Sequence, residues 1–403
     1  MTNVTTKYEE HFNLILDFVQ TYHELINCNM VDFVTKKLWE NCLPDALRLE
    51  LEEDNTNEND WNKTSSYPNI DDFIKLTRSL SLASYSAVGN LKDIGVEPLS
   101  QGDNELKCKH KNVKVGLMND KKLHEVEVLG NVIATLAAST KDSLVIDAGA
   151  GKAYLSTHLA DNYNIPVLAI DSSQVCHRSA ISRHEKLTKK MGLSRSLVHS
   201  MRSKYYFKQI NDETDYVKLV TDNFSCWNLN KNLFLTGLHT CGSLAHSIIR
   251  AFLYTDDIGL LCIVPCCYHL TNEMLYERNI FSKNARMLAQ QSVERSGKNR
   301  SPSLFYRAVL QVVLHSMGIT FLHAWFHLEA IYQFHVYLKN KFNMFQMLRI
   351  HAAPVLEAAI VLDRVLFLQK STKCSALAIL RLFDPVLSPR RYGIVNIRIQ
   401  VQN

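Results

Sequence analysis

The chain has 403 residues, of which 46% are hydrophobic, and it carries a formal net charge of +5 at pH 7. This length and apolar content predict a well-buried interior in one large core or two domains. The ten cysteines include an adjacent pair but no regular framework spacing, which argues against a disulfide scaffold and indicates reduced, intracellular thiols.

We expect a protein of the cytoplasm, the nucleus or both, with no membrane-spanning part. The first residues, MTNVTTKYEEHF, lack the basic and then apolar layout of a secretory signal. The most apolar later stretch, 318–334, is interrupted by histidines and a glutamate. That composition favours a buried helix over a membrane span.

Residues 1–110 are predicted to form a helical N-terminal region. Phe12, Ile15, Val19, Tyr22 and Ile26 follow helical spacing on one face. The acidic, asparagine-rich stretch 51–62 interrupts this region and is predicted to be a loop.

An α/β core is predicted over 111–275. The segment 143–172 contains an apolar run ending in Asp147, a glycine loop, an amphipathic helix and a second apolar run ending in Asp171. This order predicts strand, tight turn, helix and strand, with an acid at the carboxyl end of each strand. Two further strands are predicted at 232–237 and 258–264.

The remaining chain is predicted to form a helical region over 276–376 and a β-hairpin over 377–403 that completes the sheet. The two β-rich runs of the hairpin flank DPVLSPRR, whose prolines mark a turn. The predicted fold is thus α/β and Rossmann-like, with a mostly parallel sheet, a helical N-terminal region and a helical insertion before the hairpin.

The glycine loop predicts an adenosine cofactor. Gly149 and Gly151 permit close approach of backbone to a ligand, and Asp171, beside Ser172, is placed to accept hydrogen bonds from ribose hydroxyls. Tyr154 stands where a dinucleotide site needs a small residue, and the loop lacks the phosphate-binding ATP motif. Asp147 would repel phosphates but suits an ammonium or sulfonium. S-adenosylmethionine fits these features.

Reactive side chains follow the two later predicted strands. His239 and Cys241 come after one, and Cys266, Cys267, Tyr268 and His269 come after the other. Parallel strands would gather them at the cofactor end of the sheet. The candidate catalytic residues are His239, Cys266, Cys267, Tyr268 and His269. Three chemistries stay open: a histidine base, a covalent cysteine thiolate, or zinc. The sequence favours no metal, because C-x-x-C spacing is absent and adjacent cysteines seldom both reach one ion.

A basic segment, 183–208, ends in the aromatics Tyr205, Tyr206 and Phe207. Basic groups beside aromatics suit a nucleic-acid strand, through phosphate attraction and base stacking. The alternative is a solvated helix face next to a buried aromatic cluster. RNA is therefore one partner to consider, and the sequence names no protein partner.

Several motifs together resemble the methyltransferase-like protein 25 family, which includes relatives labelled ribosomal RNA adenine dimethylase domain-containing. They are DAGAGKAYLS, AIDSS, TGLHTCGSLA, VPCCYHLT, KNARMLAQQSVER, VLDRVLFL and LFDPVLSPRR. The likeness covers about 115–403 and implies a seven-stranded, class I S-adenosylmethionine-dependent methyltransferase fold. It implies that Asp147, Gly149 and Gly151 hold the methionine and adenosyl parts and that Asp171 holds the ribose. The segment between Tyr268 and Lys283 is shorter than in the family.

A second, looser resemblance is to tRNA 2′-O-methyltransferases of the Trm-thirteen type. Lys122 and His124 ahead of the first strand, HTCG at 239–242 and CCYH at 266–269 match its motifs. The chain departs from that pattern, because a leucine separates Lys122 from His124 and no zinc-knuckle-like cysteine set precedes the core. HTCG also replaces the Asn/Asp-Pro-Pro-Tyr/Phe loop of enzymes that methylate exocyclic adenine nitrogens.

These features predict an S-adenosylmethionine-dependent methyltransferase acting on RNA. One alternative is a methyltransferase for proteins or small molecules. Another is a binding or scaffold protein that keeps the fold without turnover. The cofactor-binding candidates are Lys122, His124, Asp147, Gly149, Gly151, Tyr154, Asp171 and Ser172.

Overall fold

The computed structural model describes residues 2–53, 67–97, 118–140, 143–191, 202–224, 232–271, 273–277, 279–296, 302–317, 330–370 and 374–398. The main helices are α1 (Thr2–Thr21), α2 (His23–Asn27), α3 (Leu38–Cys42), α4 (Asp45–Glu53), α5 (Pro68–Leu80), α6 (Asp120–Ala138), α7 (Tyr154–Tyr163), α8 (Gln174–Met191), α9 (Tyr216–Asn223), α10 (Leu244–Tyr254), α11 (Lys283–Leu288), α12 (Val293–Ser296), α13 (Ser303–Met317) and α14 (Lys339–Gln369). The strands are β1 (Val88–Gly89), β2 (Leu144–Ala148), β3 (Val167–Asp171), β4 (Ser203–Phe207), β5 (Leu233–Cys241), β6 (Ile258–Cys266), β7 (Cys374–Arg381) and β8 (Tyr392–Arg398).

The strands form one sheet in the order β1-β7-β8-β6-β5-β2-β3-β4. Strand β8 runs antiparallel to both β6 and β7, and the other neighbouring pairs are parallel. The predicted Rossmann-like, mostly parallel sheet with a C-terminal hairpin is confirmed. The sheet has eight strands rather than the predicted seven, because β1 adds an edge strand of 2 residues, too short to show alternation in the sequence.

Strand alternation assigns the buried side chains of β2 to two separate layers. Leu144 and Ile146 belong to the core that includes α10, α14 and the N-terminal helices. Val145 belongs to the core formed with α6 and α7. Since side chains of a strand alternate between faces, Asp147 lies on the same face as Val145, towards α7. The alternation of side chains along β2 therefore places Asp147 against α7.

Besides β1, three strands differ from the sequence prediction. Strand β4 was not predicted; it pairs in parallel with β3 at the edge of the sheet and takes up the aromatic end of the basic segment. Strands β5 and β6 extend past their apolar runs, because Cys241 and Cys266 are still register partners after an irregularity between Gly237 and Thr240. The last residues of both strands, predicted to lie in loops, are therefore strand residues.

The N-terminal helices share their core with the sheet. Phe12 of α1, Phe73 of α5, Leu356 of α14 and Ile146 of β2 belong to one hydrophobic cluster. The domain boundaries at 110, 275 and 376 stay predictions; β1 of the N-terminal region joins the sheet, and β7 begins at Cys374. Most of the predicted 51–62 loop and of the apolar 318–334 stretch lies outside the described residues. No helix in the described ranges has the length and apolarity to cross a bilayer.

A buried carboxylate on α14 fixes the chain that leaves β6. Asp363, which has no exposed surface, accepts backbone hydrogen bonds from Leu275 at 2.8 Å, Tyr276 at 2.9 Å and Glu277 at 3.1 Å. These three amides lie in an irregular segment, so the carboxylate replaces partners that regular secondary structure would supply. These hydrogen bonds connect α14 of the helical region to the segment that follows β6.

Candidate functional site

A cavity of about 460 Å³ opens at the carboxyl ends of β2, β3 and β5. Its volume lies within the range of about 300–1,000 Å³ typical of small-molecule sites. In an open α/β sheet, ligands bind outside the carboxyl ends of the strands, so both the place and the size are those of a ligand site. The predicted site residues that line it are Lys122, Asp147, Gly149, Gly151, Tyr154, Asp171, Ser172 and His239.

The floor of the cavity is the glycine loop between β2 and α7. Gly149 has φ 75° and Gly151 has φ 57°, a left-handed conformation that glycine adopts without steric cost. A Cβ on Gly149 would lie 2.7 Å from Leu244 Cδ2, so the loop also needs glycine there for space. The amides of Gly149 and Ala150 donate to the carbonyl of Ile170 at 2.9 Å and 3.0 Å, which fixes the loop on β3.

Asp171, the last residue of β3, braces this loop. Its Oδ2 accepts the Gly151 amide at 2.8 Å, and its Oδ1 accepts the Ser173 amide at 2.7 Å. Hydrogen bonds to an ionised acceptor are about twice as strong as neutral ones. Each carboxylate oxygen keeps a further lone pair with which to accept a hydroxyl of a ligand. The residue therefore holds the cavity in shape and still has acceptor capacity.

Asp147 is the buried acid of the cavity. It is 1% exposed, and its Oδ2 accepts the Ser156 hydroxyl of α7 at 2.6 Å. Burial raises the pKa of Asp147 from 3.8 to about 6, and the nearby charge of Asp171 raises it further, against the hydrogen bond from Ser156. At neutral pH the Asp147 carboxylate is therefore ionised, and the burial of this charge lowers the stability of the folded protein.

Replacing Asp147 by asparagine is expected to raise the free energy of unfolding at pH 8 by about 1–3 kcal/mol, because a raised acid pKa penalises the ionised folded state. The folded wild type keeps a proton up to pH about 6, whereas the unfolded chain loses it near 3.8. Wild-type stability therefore falls as pH rises through this window, and the gain should vanish near pH 4. Urea unfolding at both pH values measures this, with the exposed Asp222→Asn as control. An equal gain at both pH values would contradict the assignment.

Two cations contact the ring of Tyr154 at the start of α7. Lys122 Nζ lies 4.4 Å from the ring centroid and Arg183 Cζ lies 4.1 Å from it. Arg183 also donates to the Ala153 carbonyl at 2.8 Å and to Thr157 Oγ1 at 3.0 Å. Arg183 therefore supports the glycine loop and the Tyr154 ring, so it is not a free member of the basic segment.

His239, near the carboxyl end of β5, contacts a carboxylate that sequence reasoning missed. Glu125 of α6 is 1% exposed, its Oε2 lies 3.3 Å from His239 Nε2, and its Oε1 accepts the Ser388 hydroxyl at 2.6 Å. Burial alone would raise the pKa of Glu125, but the hydrogen bonds from His239 and Ser388 outweigh it and lower the pKa. A glutamate among the apolar positions of α6 was the signal in the sequence that pointed to this contact.

Three other predicted residues do not line the described cavity. His124 Nε2 accepts a backbone amide of the β7–β8 connection at 3.1 Å. Tyr268 is 1% exposed and donates its hydroxyl to Glu357 at 3.0 Å. His269 Nδ1 lies 2.5 Å from Gln290 Nε2. Each of these three side chains has a hydrogen-bonding partner away from the cavity. Among the predicted histidines, His239 lines the cavity.

The thiols after β5 and β6 converge beside His239. Cys241 Sγ lies 3.1 Å from Cys266 Sγ, and with Cys267 the three sulfurs all lie within 4.8 Å of one another. The hydrogen bond with Cys266 lowers the pKa of the Cys241 thiol to about 6, whereas that contact and burial raise the pKa of Cys266. Cys241 lines the cavity and the other two do not.

The chain is similar to known methyltransferases. A methyltransferase domain model matches residues 121–274, which include the glycine loop, both acids and His239. The chain is 24% identical over 582 residues to probable methyltransferase-like protein 25 of Homo sapiens, covering 96% of each sequence. It is 22% identical over 573 residues to the protein of the same name from Mus musculus, again covering 96% of each.

The solved structures that match include that of coclaurine N-methyltransferase bound to N-methylheliamine and SAH. The identity is 12%, the match covers 96% of this chain and 99% of that one, and the TM-score is 0.24, which is too low to carry an argument. The sheet order, the matched methyltransferase domain and the two relatives together identify a probable methyltransferase. The chain is a probable methyltransferase with a class I fold, and it is similar over 96% of its length to probable methyltransferase-like protein 25.

Proposed function

We propose that this methyltransferase takes its methyl group from S-adenosylmethionine and delivers it to RNA. The observation that carries the cofactor assignment is the cavity in which the glycine loop lies between two carboxylates, Asp147 and Asp171. When bound, S-adenosylmethionine supplies an electrophilic methyl group on a sulfonium. The cavity residues match its parts by charge and by hydrogen-bonding capacity.

Each matching residue has a distinct part. Asp171 accepts ribose hydroxyls with the lone pairs that its two backbone contacts leave free. Asp147 offers negative charge to the cationic methionine end, and Lys122 offers positive charge to its carboxylate. Gly149 and Gly151 allow backbone amides to approach the ligand. Tyr154 provides an aromatic wall that Lys122 and Arg183 hold in place.

His239 is the proposed base for an acceptor that must lose a proton. With Nε2–H donated to Glu125, the neutral ring presents Nδ1 as the acceptor. The buried carboxylate fixes the ring and stabilises the imidazolium that forms after proton transfer. A hydroxyl or a ring nitrogen held beside the cavity would be such an acceptor.

Positive charge and aromatic surface support RNA as the acceptor class. Lys122, Lys152 and Lys208 line the cavity. On the edge strand β4, Tyr206 is 36% exposed and Phe207 is 50% exposed, which leaves both rings available for stacking. Lysines 186 and 189 on α8 are exposed, and residues 192–201 of the basic segment lie outside the described part of the chain.

Calorimetric titration of the purified full chain with S-adenosylmethionine tests the cofactor. We expect one binding site per chain, with affinity in the micromolar range, about 8 kcal/mol of binding free energy. Absence of binding would overturn the cofactor proposal and favour a scaffold that retains the fold. Binding without methyl transfer to total RNA, but with transfer to protein or small molecules, would overturn the substrate class alone.

RNA binding is expected to weaken with added salt, because neutralised phosphates release counterions. Reversing Lys186 and Lys189 together to glutamate should lower affinity for single-stranded RNA about tenfold and reduce the slope of log affinity against log salt by about 1.4. Fluorescence anisotropy across a salt series measures both quantities. The matched control is the reversal of Lys7 and Lys283, which are exposed on α1 and α11. Equal losses in the two double variants would count against the basic segment as the RNA-binding surface.

A further inference from the structure

Three cysteine thiols from the ends of two strands meet at one point at the edge of the cavity. The sulfurs of Cys241, Cys266 and Cys267 all lie within 4.8 Å of one another. Cys241 is exposed and lines the cavity, Cys266 is buried and Cys267 is partly buried. A disulfide would involve only two of these sulfurs, so it would not explain why the third sulfur lies beside them.

The backbone explains how adjacent cysteines reach the same point. Cys241 and Cys266 are register partners on the parallel strands β5 and β6, so their side chains leave the sheet side by side. Cys267 would point to the opposite face if the strand continued. It instead has φ 50° and ψ 47°, a left-handed conformation that is costly for a residue other than glycine. The turn brings its sulfur back to the other two.

Sulfur geometry matches a thiophilic cation. In tetrahedral zinc sites the Zn–S distance is about 2.3 Å, which separates two sulfur ligands by about 3.8 Å. The Cys241 and Cys266 sulfurs lie 3.1 Å apart, and no two of the three sulfurs are more than 4.8 Å apart. Each sulfur therefore needs to move by less than the length of a bond to bind one ion.

The surroundings of the cluster also suit an anionic site. Three thiolates and one Zn²⁺ together carry a charge of about −1, which needs a nearby cation when partly buried. Arg364 interacts electrostatically with Cys266, and Arg390 does so with Cys267. Arg364 is 3% exposed, so the protein holds a desolvated positive charge beside these sulfurs. Three protein ligands leave a fourth position for a non-protein ligand, and Cys241 of this cluster lines the cavity.

We propose that Cys241, Cys266 and Cys267 form a three-thiolate Zn²⁺ site at the edge of the cavity, with its fourth position open to water or to the incoming substrate. Zinc binding releases thiol protons to solvent and involves no change of oxidation state. The site does not depend on the proposed cofactor or acceptor. Neighbouring cysteines seldom share an ion, but the left-handed backbone of Cys267 turns its sulfur towards those of Cys241 and Cys266.

Metal analysis of the full chain, purified under reducing conditions without chelators, tests this site. We expect about one zinc ion per chain in the wild type, and at least a fivefold lower content in Cys241→Ser, Cys266→Ser and Cys267→Ser. Cys176→Ser on α8, outside the cluster, is the matched control and should keep its zinc. Cobalt(II) added to metal-free protein should show thiolate-to-metal charge-transfer absorption that weakens in each cluster variant.

Circular dichroism and S-adenosylmethionine titration of the same variants separate metal loss from unfolding. Cys241→Ser is the most informative variant, because its side chain is exposed and its replacement leaves the core intact. Zinc retained in the cluster variants, or no zinc bound by wild type after incubation with Zn²⁺, would overturn the proposal. So would a Cys241–Cys266 disulfide found by mass spectrometry in the reduced preparation. Zinc content is measured without cofactor, so its failure is distinct from failure of the proposed function.

Discussion

Replacing Asp171 by asparagine is expected to weaken S-adenosylmethionine binding about 100-fold. The carboxylate accepts the amides of Gly151 and Ser173 at 2.8 Å and 2.7 Å, and under the proposed function it also accepts the ribose. Asparagine has the same shape, but its NH₂ group would face one of these amides. Hydrogen bonds to charged groups contribute about 1.5–3 kcal/mol each, and about 3 kcal/mol corresponds to a 100-fold change in affinity. Calorimetric titration of both proteins measures the difference.

Asp222→Asn is the control for this experiment. Asp222 is exposed on α9, so the variant repeats the loss of one negative charge without touching the cavity. It should bind S-adenosylmethionine as the wild type does. Unchanged affinity in Asp171→Asn would mean that the cofactor binds elsewhere, whereas loss in both variants would indicate a general effect of charge.

Replacing Asp363 by alanine is expected to lower the free energy of unfolding by about 2–4 kcal/mol, because three backbone amides would lose their acceptor. The carboxylate is fully buried, and its partners are the consecutive amides of residues 275–277. These partners are themselves only partly buried, so water replaces some of the lost hydrogen bonding. Urea unfolding followed by circular dichroism measures the change.

Two further variants make this prediction specific. Asp363→Asn keeps one acceptor oxygen, so it should lose about half as much stability as the alanine variant. Asp17→Ala removes an exposed aspartate in the middle of α1, where alanine is a better helix former, and should stay within about 0.5 kcal/mol of wild type. A loss under about 1 kcal/mol in Asp363→Ala would show that segment 275–277 does not depend on this contact.

The parts of the fold with strong periodicity could be predicted from the sequence. The run from Leu144 to Asp171 gave the order strand, loop, helix and strand, because buried parallel strands are continuous apolar runs and glycine marks the turn. Strand β4 was missed, because its sequence SKYYF lies in a basic segment. It forms the edge of the sheet and is not a continuous apolar run. Strand β1 has 2 residues, and no period can be read from so few.

The site was less predictable than the fold, because its contacts join residues far apart in the chain. Asp147 and Asp171 could be predicted from local pattern, because each lies at the carboxyl end of an apolar strand, beside the glycine loop. Glu125 meets His239 only through the packing of α6 on the sheet, and Ser388 reaches Glu125 from the β7–β8 connection. The meeting of the three thiols depends on the backbone angles of Cys267, which no composition or spacing rule encodes.

The position of β8 has a consequence for how the protein is made. This strand lies between β7 and β6, inside the sheet, although it comes from residues 392–398. A nascent chain folds from its N-terminus as it leaves the ribosome, so β6 keeps an unpaired edge until residue 398 has emerged. Ser388, which holds Glu125 and through it His239, arrives in the same interval. During synthesis the edge of β6 therefore stays unpaired until the hairpin forms, and the contacts of Ser388 with Glu125 and of Glu125 with His239 are complete only after that step.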